Sequence, residues 1–95
     1  MEPVRIDKWL WAARLYKTRS LATEAVAGGR VHVNGVRVKP SKDVRVGDTI
    51  EVTVGTVRRT VAVTGLAERR GSAQVAATLY AETPESVAAR EQHVL

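Results

Sequence analysis

The residues of this chain with chemistry to offer are its cations, and their positions are uneven. Residues 1–47 carry ten Lys and Arg against four Asp and Glu, a net of +6, while residues 48–95 carry five against six, a net of −1, within a whole-chain charge of +5. Arg5 and Lys8 flank the start of one helical pattern; Lys17 and Arg19 flank the start of the next. A helix N-terminus carries partial positive charge and favours acids by roughly 0.3–1 kcal/mol each, so cations there work against local stability. They suit an anion instead, because free backbone N–H groups and the dipole already attract phosphate. Arg14 and Lys17 near the inter-helix turn, with Arg30, Arg37, Lys39 and Lys42 around a following hairpin, extend such a site. A local rule broken repeatedly in one place points to function. An ordinary solvated cationic surface is the competing reading, and charge alone does not exclude it.

Other chemistries find little support. The two histidines, His32 and His93, are far apart in sequence. His32 alternates with Val31 and Val33, which puts it on the exposed side of a strand, as a plain surface residue or as an RNA contact. His93 falls in the C-terminal fray. No cluster of His, Cys or carboxylates has metal-ligand spacing, and the acids are scattered beside basic residues rather than paired as a dyad. Gly28-Gly29 is followed by no Gly-Lys-Ser/Thr and is no phosphate loop. The sequence therefore predicts no enzyme, no cofactor and no metal. It has no cysteine, which fits a reducing compartment. Met1-Glu2-Pro3-Val4-Arg5 opens without an apolar signal stretch, and no apolar run approaches membrane-spanning length. The expectation is a cytoplasmic protein that does not engage a membrane.

The elements that must hold these cations follow in chain order. Asp7 reads as the N-cap of a first helix, with Ile6, Trp9, Leu10 and Ala13 on one face. Trp9 and Trp11 lie about 200° apart on a helix of 3.6 residues per turn, so both cannot enter one core. Trp11 either staples onto Ile6 from the fourth helical position or stands exposed for base stacking. Thr18 reads as the cap of a second helix whose small face is Ala22, Ala25 and Val26, and which Gly28 ends at C′ in the left-handed conformation. Val31 and Val33, then Val36 and Val38, alternate around Asn34-Gly35, the strongest short-range hairpin signal. The hairpin should end near Pro40, which has no N–H for a ladder. Thr49 to Val54 and Val57 to Val63 read as strands joined at Gly55. Ala73 to Ala81 is ambiguous; the alternation of Val75, Ala77 and Leu79 favours a strand. Thr83-Pro84-Glu85 starts a short last helix through Arg90. With no Phe and only four aromatics, Val and Ala must fill a thin core.

At these residues the chain resembles the S4 RNA-binding domain family. Arg5, Ile6, Asp7 and Leu10 match the opening of that family's first helix, and Arg19-Ser20-Leu21-Ala22 matches the opening of its second. Gly29-Arg30-Val31-His32-Val33-Asn34-Gly35 matches the Gly-x-Val-x-Val-Asn-Gly ending, and Gly47-Asp48-Thr49-Ile50 the later Gly-Asp before a strand. The ordered set is more specific than any one piece. The run Asp7 to Arg14, Tyr16 to Arg19, Lys39 to Lys42, Leu79-Tyr80 and Glu85 to Val87 is similar to a small heat-shock, ribosome-associated branch of the family. That branch typically carries a longer basic C-terminal tail, whereas this sequence stops at Leu95.

The resemblance implies an α+β fold of the S4 (alpha-L) type: two N-terminal helices packed on a small, mainly antiparallel sheet, with extra strands and a short C-terminal helix. It implies one domain over residues 1–95, with a core motif at 5–54 and an extension at 55–95. The candidate RNA-binding set is Arg5, Lys8, Arg14, Lys17, Thr18, Arg19, Arg30, Asn34, Lys39 and Lys42. The implied partners are ribosomal RNA and the large ribosomal subunit, including subunits blocked by a peptidyl-tRNA; DNA is a weaker candidate, and a monomer is expected. Two other classes stay open: a protein-interaction or regulatory module whose basic face meets an acidic partner, and a detached accessory of an RNA-modifying enzyme. On the RNA reading, Arg19 stands against the dipole of its own helix, so Arg19→Glu should leave folding intact while weakening RNA binding.

Overall fold

Alternating valines build the sheet and small helical faces cover it. The computed structural model describes residues 3–93; Met1-Glu2 and Val94-Leu95, and the side chain of His93, lie outside the described set. The element order is β1 (Val4–Arg5), α1 (Ile6–Ala12), α2 (Arg19–Ala27), β2 (Val31–Val33), β3 (Val36–Arg37), β4 (Asp43–Val44), β5 (Thr49–Val54), β6 (Val57–Val63), α3 (Ala73–Ala76), β7 (Tyr80–Glu82) and α4 (Pro84–His93). Five strands form one sheet in the order β3-β2-β5-β6-β7, and β1 pairs with β4 in a second, two-stranded ladder. All of these pairings are antiparallel. The fold is the expected α+β arrangement.

The core joins Ile6, Trp9, Leu10, Ala22, Ala25 and Val26 of the helices to Val31, Val33, Ile50, Val52, Val61 and Val63 of the sheet. In a chain without Phe, Trp9 supplies the bulk. It is fully buried, its indole N–H donates to the Gly65 carbonyl at 2.9 Å, and its ring meets Tyr80 edge-on with centroids 6.5 Å apart. Such a pair contributes about 0.5–1.5 kcal/mol beyond its buried area. The first helix is thereby tied to the segment after β6 and to β7.

Several local expectations hold. Asn34 (φ 52°) and Gly35 (φ 81°) make the two-residue turn, with Val33 paired to Val36. Thr18 caps α2, its hydroxyl accepting from the Leu21 N–H at 3.0 Å. Thr83 caps α4 through the Ser86 N–H, and Pro84 is its first helical residue. That last helix runs on to His93, three residues past the expected Arg90.

Others are corrected. Asp7 does not cap α1: Arg5 occupies the cap position with no side-chain bond, and Asp7 is a buried residue of the first turn. Trp11 accordingly becomes the sixth helical residue, too far along for the staple, and stands partly exposed. The left-handed step falls at Gly29 (φ 80°) rather than Gly28 (φ −81°). The Gly29 N–H bonds Val26 O and the Arg30 N–H bonds Ala25 O, the paired closure of a Schellman motif set one residue later. Arg37 seals this helix end by donating to Ala27 O at 2.8 Å, lying so close over Gly29 that an added Cβ would meet its guanidinium at 3.3 Å. β3 is only two residues long, and Val36 is 62% exposed.

The largest correction is Ala73 to Ala81, expected as a strand. Ser72 accepts from the Val75 N–H and caps α3; the strand begins only at Tyr80. Alanine's helix propensity with a proper cap outweighed a weak alternation. Val75, which the alternation placed inside, is 48% exposed.

Candidate nucleic-acid interface

The cations of the first half are organised around an acid. Asp7 is 1% exposed, and both its carboxylate oxygens are engaged. Arg5 donates to it twice, from Nε at 3.2 Å and Nη2 at 2.9 Å; the Thr23 hydroxyl donates at 3.1 Å; Arg19 Nη2 lies 3.9 Å away. A buried carboxylate needs such partners, because an uncompensated buried charge is costly. The result joins α1 to α2 and leaves two guanidinium groups, each about half exposed, beside one another with a single negative charge behind them. These two guanidinium groups and one exposed acid, Glu24, face solvent there, over the buried Asp7. Together with Ser20 and Thr23 they line a shallow depression.

The two helix starts differ. At α1 the first N–H groups are taken: Ile6 N–H donates to Lys42 O at 2.7 Å and Asp7 N–H to Pro40 O at 3.4 Å. The expectation of a phosphate held by backbone at α1 is therefore corrected; that start is capped by a loop. The same bonds, with Arg5 opposite Asp43 in the β1–β4 ladder, carry the lysine-bearing loop alongside Arg5. At α2, among the described residues, the Arg19 and Ser20 backbone N–H groups have no acceptor. Here backbone N–H groups, helix dipole and Arg19 coincide.

The remaining candidates are spread around this centre. Lys8 is partly exposed in the first turn of α1, and Lys17 is exposed just before the cap Thr18, whose hydroxyl is already committed to the helix. Arg14 sits at φ 61°, and its guanidinium donates to Gly71 O. Lys39 and Lys42 line a groove with Asn34, Val36 and Val38. The Asn34 amide is occupied within the fold: it donates to Asp48 at 3.2 Å and accepts from Thr49 N–H at 2.9 Å. Arg30 lies at the other end of β2. Its carbonyl accepts from Thr53 N–H, and its charge acts on Tyr16. Burial pushes the Tyr16 phenol up from its ordinary value, Arg30 partly opposes this, and the hydroxyl donates to Thr53 O at 2.7 Å.

The sequence reading missed Asp7 and Thr23 as the organisers. The signal available was an acid lying among Arg5, Lys8 and, twelve residues on, Arg19; a cap explained it more cheaply. Arg19 also differs from expectation. It supports a buried acid, so Arg19→Glu would set a second carboxylate beside Asp7 and destabilise the fold rather than spare it. In the second half two arginines are paired internally, Arg58 with Glu51 and Arg90 with Glu82. Among the described residues no group of three or more His, Cys, Asp or Glu is arranged to hold a metal, and no helix is long and apolar enough to cross a membrane.

Comparison with known proteins gives the following. The S4 domain family model matches residues 4–50. The chain is 54% identical over 92 residues to heat shock protein 15 of Escherichia coli K12, spanning 97% of this chain and 69% of that protein. It is 43% identical over 63 residues to the RQC P-site tRNA stabilizing factor of Bacillus subtilis 168, across 66% of this chain and 73% of that one. Among solved structures, a trimeric structure of Vibrio cholerae heat shock protein 15 matches with a TM-score of 0.94 at 49% identity, covering 97% of this chain and 93% of that one.

Proposed function

This chain belongs to the S4 domain family, alongside heat shock protein 15, and on that premise we propose that it is a non-catalytic RNA-binding protein of the large ribosomal subunit. The observation that carries the reading is the Asp7 cluster. One buried acid holds Arg5 and Arg19 side by side next to N–H groups of α2 that have no acceptor among the described residues. That arrangement suits a phosphate, since charged donors and a helix N-terminus converge on one point. In this account Arg5 and Arg19 take the central phosphate, Lys8 and Lys17 flank it, and Lys39 and Lys42 take neighbouring phosphates from the loop beside Arg5. Arg30 serves the far end of β2. Thr18 and Asn34 contribute by shaping α2 and the hairpin, because their side chains are already bonded. Phosphate contacts of this kind position the RNA without reading its sequence.

The relatives carry the reading toward translation. One is named for heat shock, another for stabilizing a P-site tRNA. The proposed role is binding, in the cytoplasm, of large subunits stalled with a peptidyl-tRNA under heat stress. The whole chain acts as one RNA-binding unit, with residues 55–95 extending the core motif; the Trp9 bond to Gly65 supports this. The proposed binding form is the monomer. The trimer of the Vibrio cholerae relative makes self-association the competing form, and light scattering with and without RNA separates the two. Crosslinking in cells followed by sequencing of the bound RNA tests the function. Reads concentrated in large-subunit ribosomal RNA are expected; reads distributed as in total RNA would contradict it.

A further inference from the structure

The S4 domain model ends at residue 50, yet a loop about twenty residues beyond it is fastened to the turn between α1 and α2. Two arginines make the fastening reciprocal. Arg14 donates to Gly71 O from Nε at 3.0 Å and from Nη2 at 2.8 Å; Arg70 donates from Nη1 to Lys17 O. Arg14 holds φ 61° at this point, a left-handed backbone that non-glycine residues rarely adopt. Such a conformation persists where the surroundings over-determine it, and it gathers at functional sites.

Both arginines end on neutral carbonyls, so neither charge is cancelled. Among the described residues the ion pairs involve Arg5, Arg19, Arg58 and Arg90; none involves Arg14, Lys17, Arg69 or Arg70. The fastening therefore gathers four cations without an ion-pair partner among the described residues, from two distant segments, at one edge of the molecule, against the one acid of that loop, Glu68. Lys17 and Arg69 are exposed there, and donors remain on both bonded guanidinium groups. Placing like charges together costs energy in the free protein, and a polyanion removes that cost. Lys17 immediately precedes Thr18, the cap of α2, so this edge is continuous with the Asp7 cluster.

We propose that the edge formed by Arg14, Lys17, Arg69 and Arg70 is a second RNA contact outside the S4 motif, which takes the phosphate backbone of the same RNA as it passes the start of α2. The proposal rests on the RNA-binding reading above. It also revises the charge map: the second half contributes to the binding face through this one loop.

The test is a titration of the full chain with a transcript of large-subunit ribosomal RNA at several salt concentrations. For Arg69→Gln/Arg70→Gln the slope of log affinity against log salt should become shallower by about 1.4 to 1.8, two contacts at roughly 0.7–0.9 each. Affinity at low salt should fall on the order of tenfold, as for lost phosphate contacts that matter equally to all sequences. Arg69→Gln alone, which removes no hydrogen bond found among the described residues, should make the slope shallower by about 0.7 with melting unchanged. An unchanged slope in both variants, beside a wild type that binds with a steep slope, overturns the second contact and leaves the proposed function intact. Weaker binding at an unchanged slope also overturns it, since that marks loosening of the turn rather than a lost phosphate. A wild type with no salt slope overturns both readings.

Discussion

Two carboxylates, Asp7 in the first half and Glu82 in the second, each accept hydrogen bonds from an arginine and a hydroxyl. At Glu82 the partners are Arg90, at 2.7 and 3.0 Å, and Ser86 Oγ at 2.7 Å. At Asp7 they are Arg5 and Thr23, with Arg19 close by. The chemistry is nearly the same, and the difference lies in the second arginine: Arg19 stands 3.9 Å from Asp7, whereas Arg59 acts on Glu82 without an ion pair among the described residues. Glu82 and Arg90 neutralise each other, and the pair, with Ser86 also accepting from Thr60 N–H, fastens α4 to β6 and β7. Asp7 has two arginines, so the trio keeps one positive charge over, with Glu24 at its rim, beside N–H groups that have no acceptor among the described residues. An ion pair that closes on itself builds structure; one with a surplus presents charge to a partner.

The comparison assumes that the two halves are one folding unit, and Trp9 is where that assumption breaks first. Trp9→Ala removes the bond to Gly65, the edge contact with Tyr80 and the largest core side chain. A loss of about 3–5 kcal/mol is expected, read as one shifted transition in urea by both tryptophan fluorescence and circular dichroism. Two separated transitions in the wild type would show instead that the halves stand alone.

Asp7→Asn set beside Glu82→Gln sharpens the comparison. Asp7→Asn should cost about 1–3 kcal/mol, as for a lost charged hydrogen-bond partner in a buried place, and should weaken RNA binding because Arg5 and Arg19 lose the group that orients them. Glu82→Gln should lower the melting temperature by less and leave RNA affinity as it was. Equal effects of the two on RNA would erase the distinction drawn between them.

A smaller effect comes from pH. Hydrogen bonds from Arg90, helped by Ser86, hold the Glu82 carboxyl below the ordinary carboxylate range. A depressed folded-state value means that its contribution is present above the unfolded value and is lost as pH falls through the folded one. The melting temperature of the wild type should therefore drop on acidification below the ordinary carboxylate range. Glu82→Gln should show a flatter acid limb, and an identical limb in both proteins would contradict the assignment.

Much of this was legible in the sequence where a residue type has one local use. Asn34-Gly35 demanded positive φ at both positions, Thr18 and Thr83-Pro84 announced helix starts, and β5 and β6 followed from alternation. Between Gly28 and Gly29 composition could not choose, because either glycine can take the left-handed step. β1 and β4 are two residues each and carry no period to read. Ala73–Ala76 fell to the helix because alanine's propensity and a serine cap outweigh an alternation of only three apolar residues. At the site, charge density singled out the right half of the chain but not its centre. Asp7 owes its role to Thr23 and Arg19, contacts that exist only after α1 and α2 have packed.

The central claim is that the first-half cations bind RNA through its phosphates, and its most direct test is the salt dependence of binding. With the seven first-half cations placed above engaged, the slope of log affinity against log salt should be about −4.9 for single strands, at about −0.7 each, and steeper for duplex RNA. Arg58, paired with Glu51 on the far hairpin, supplies the control: Arg58→Gln should leave that slope unchanged. A wild-type slope near zero, or a slope that Arg58→Gln reduces as much as Arg5→Gln does, would contradict the account.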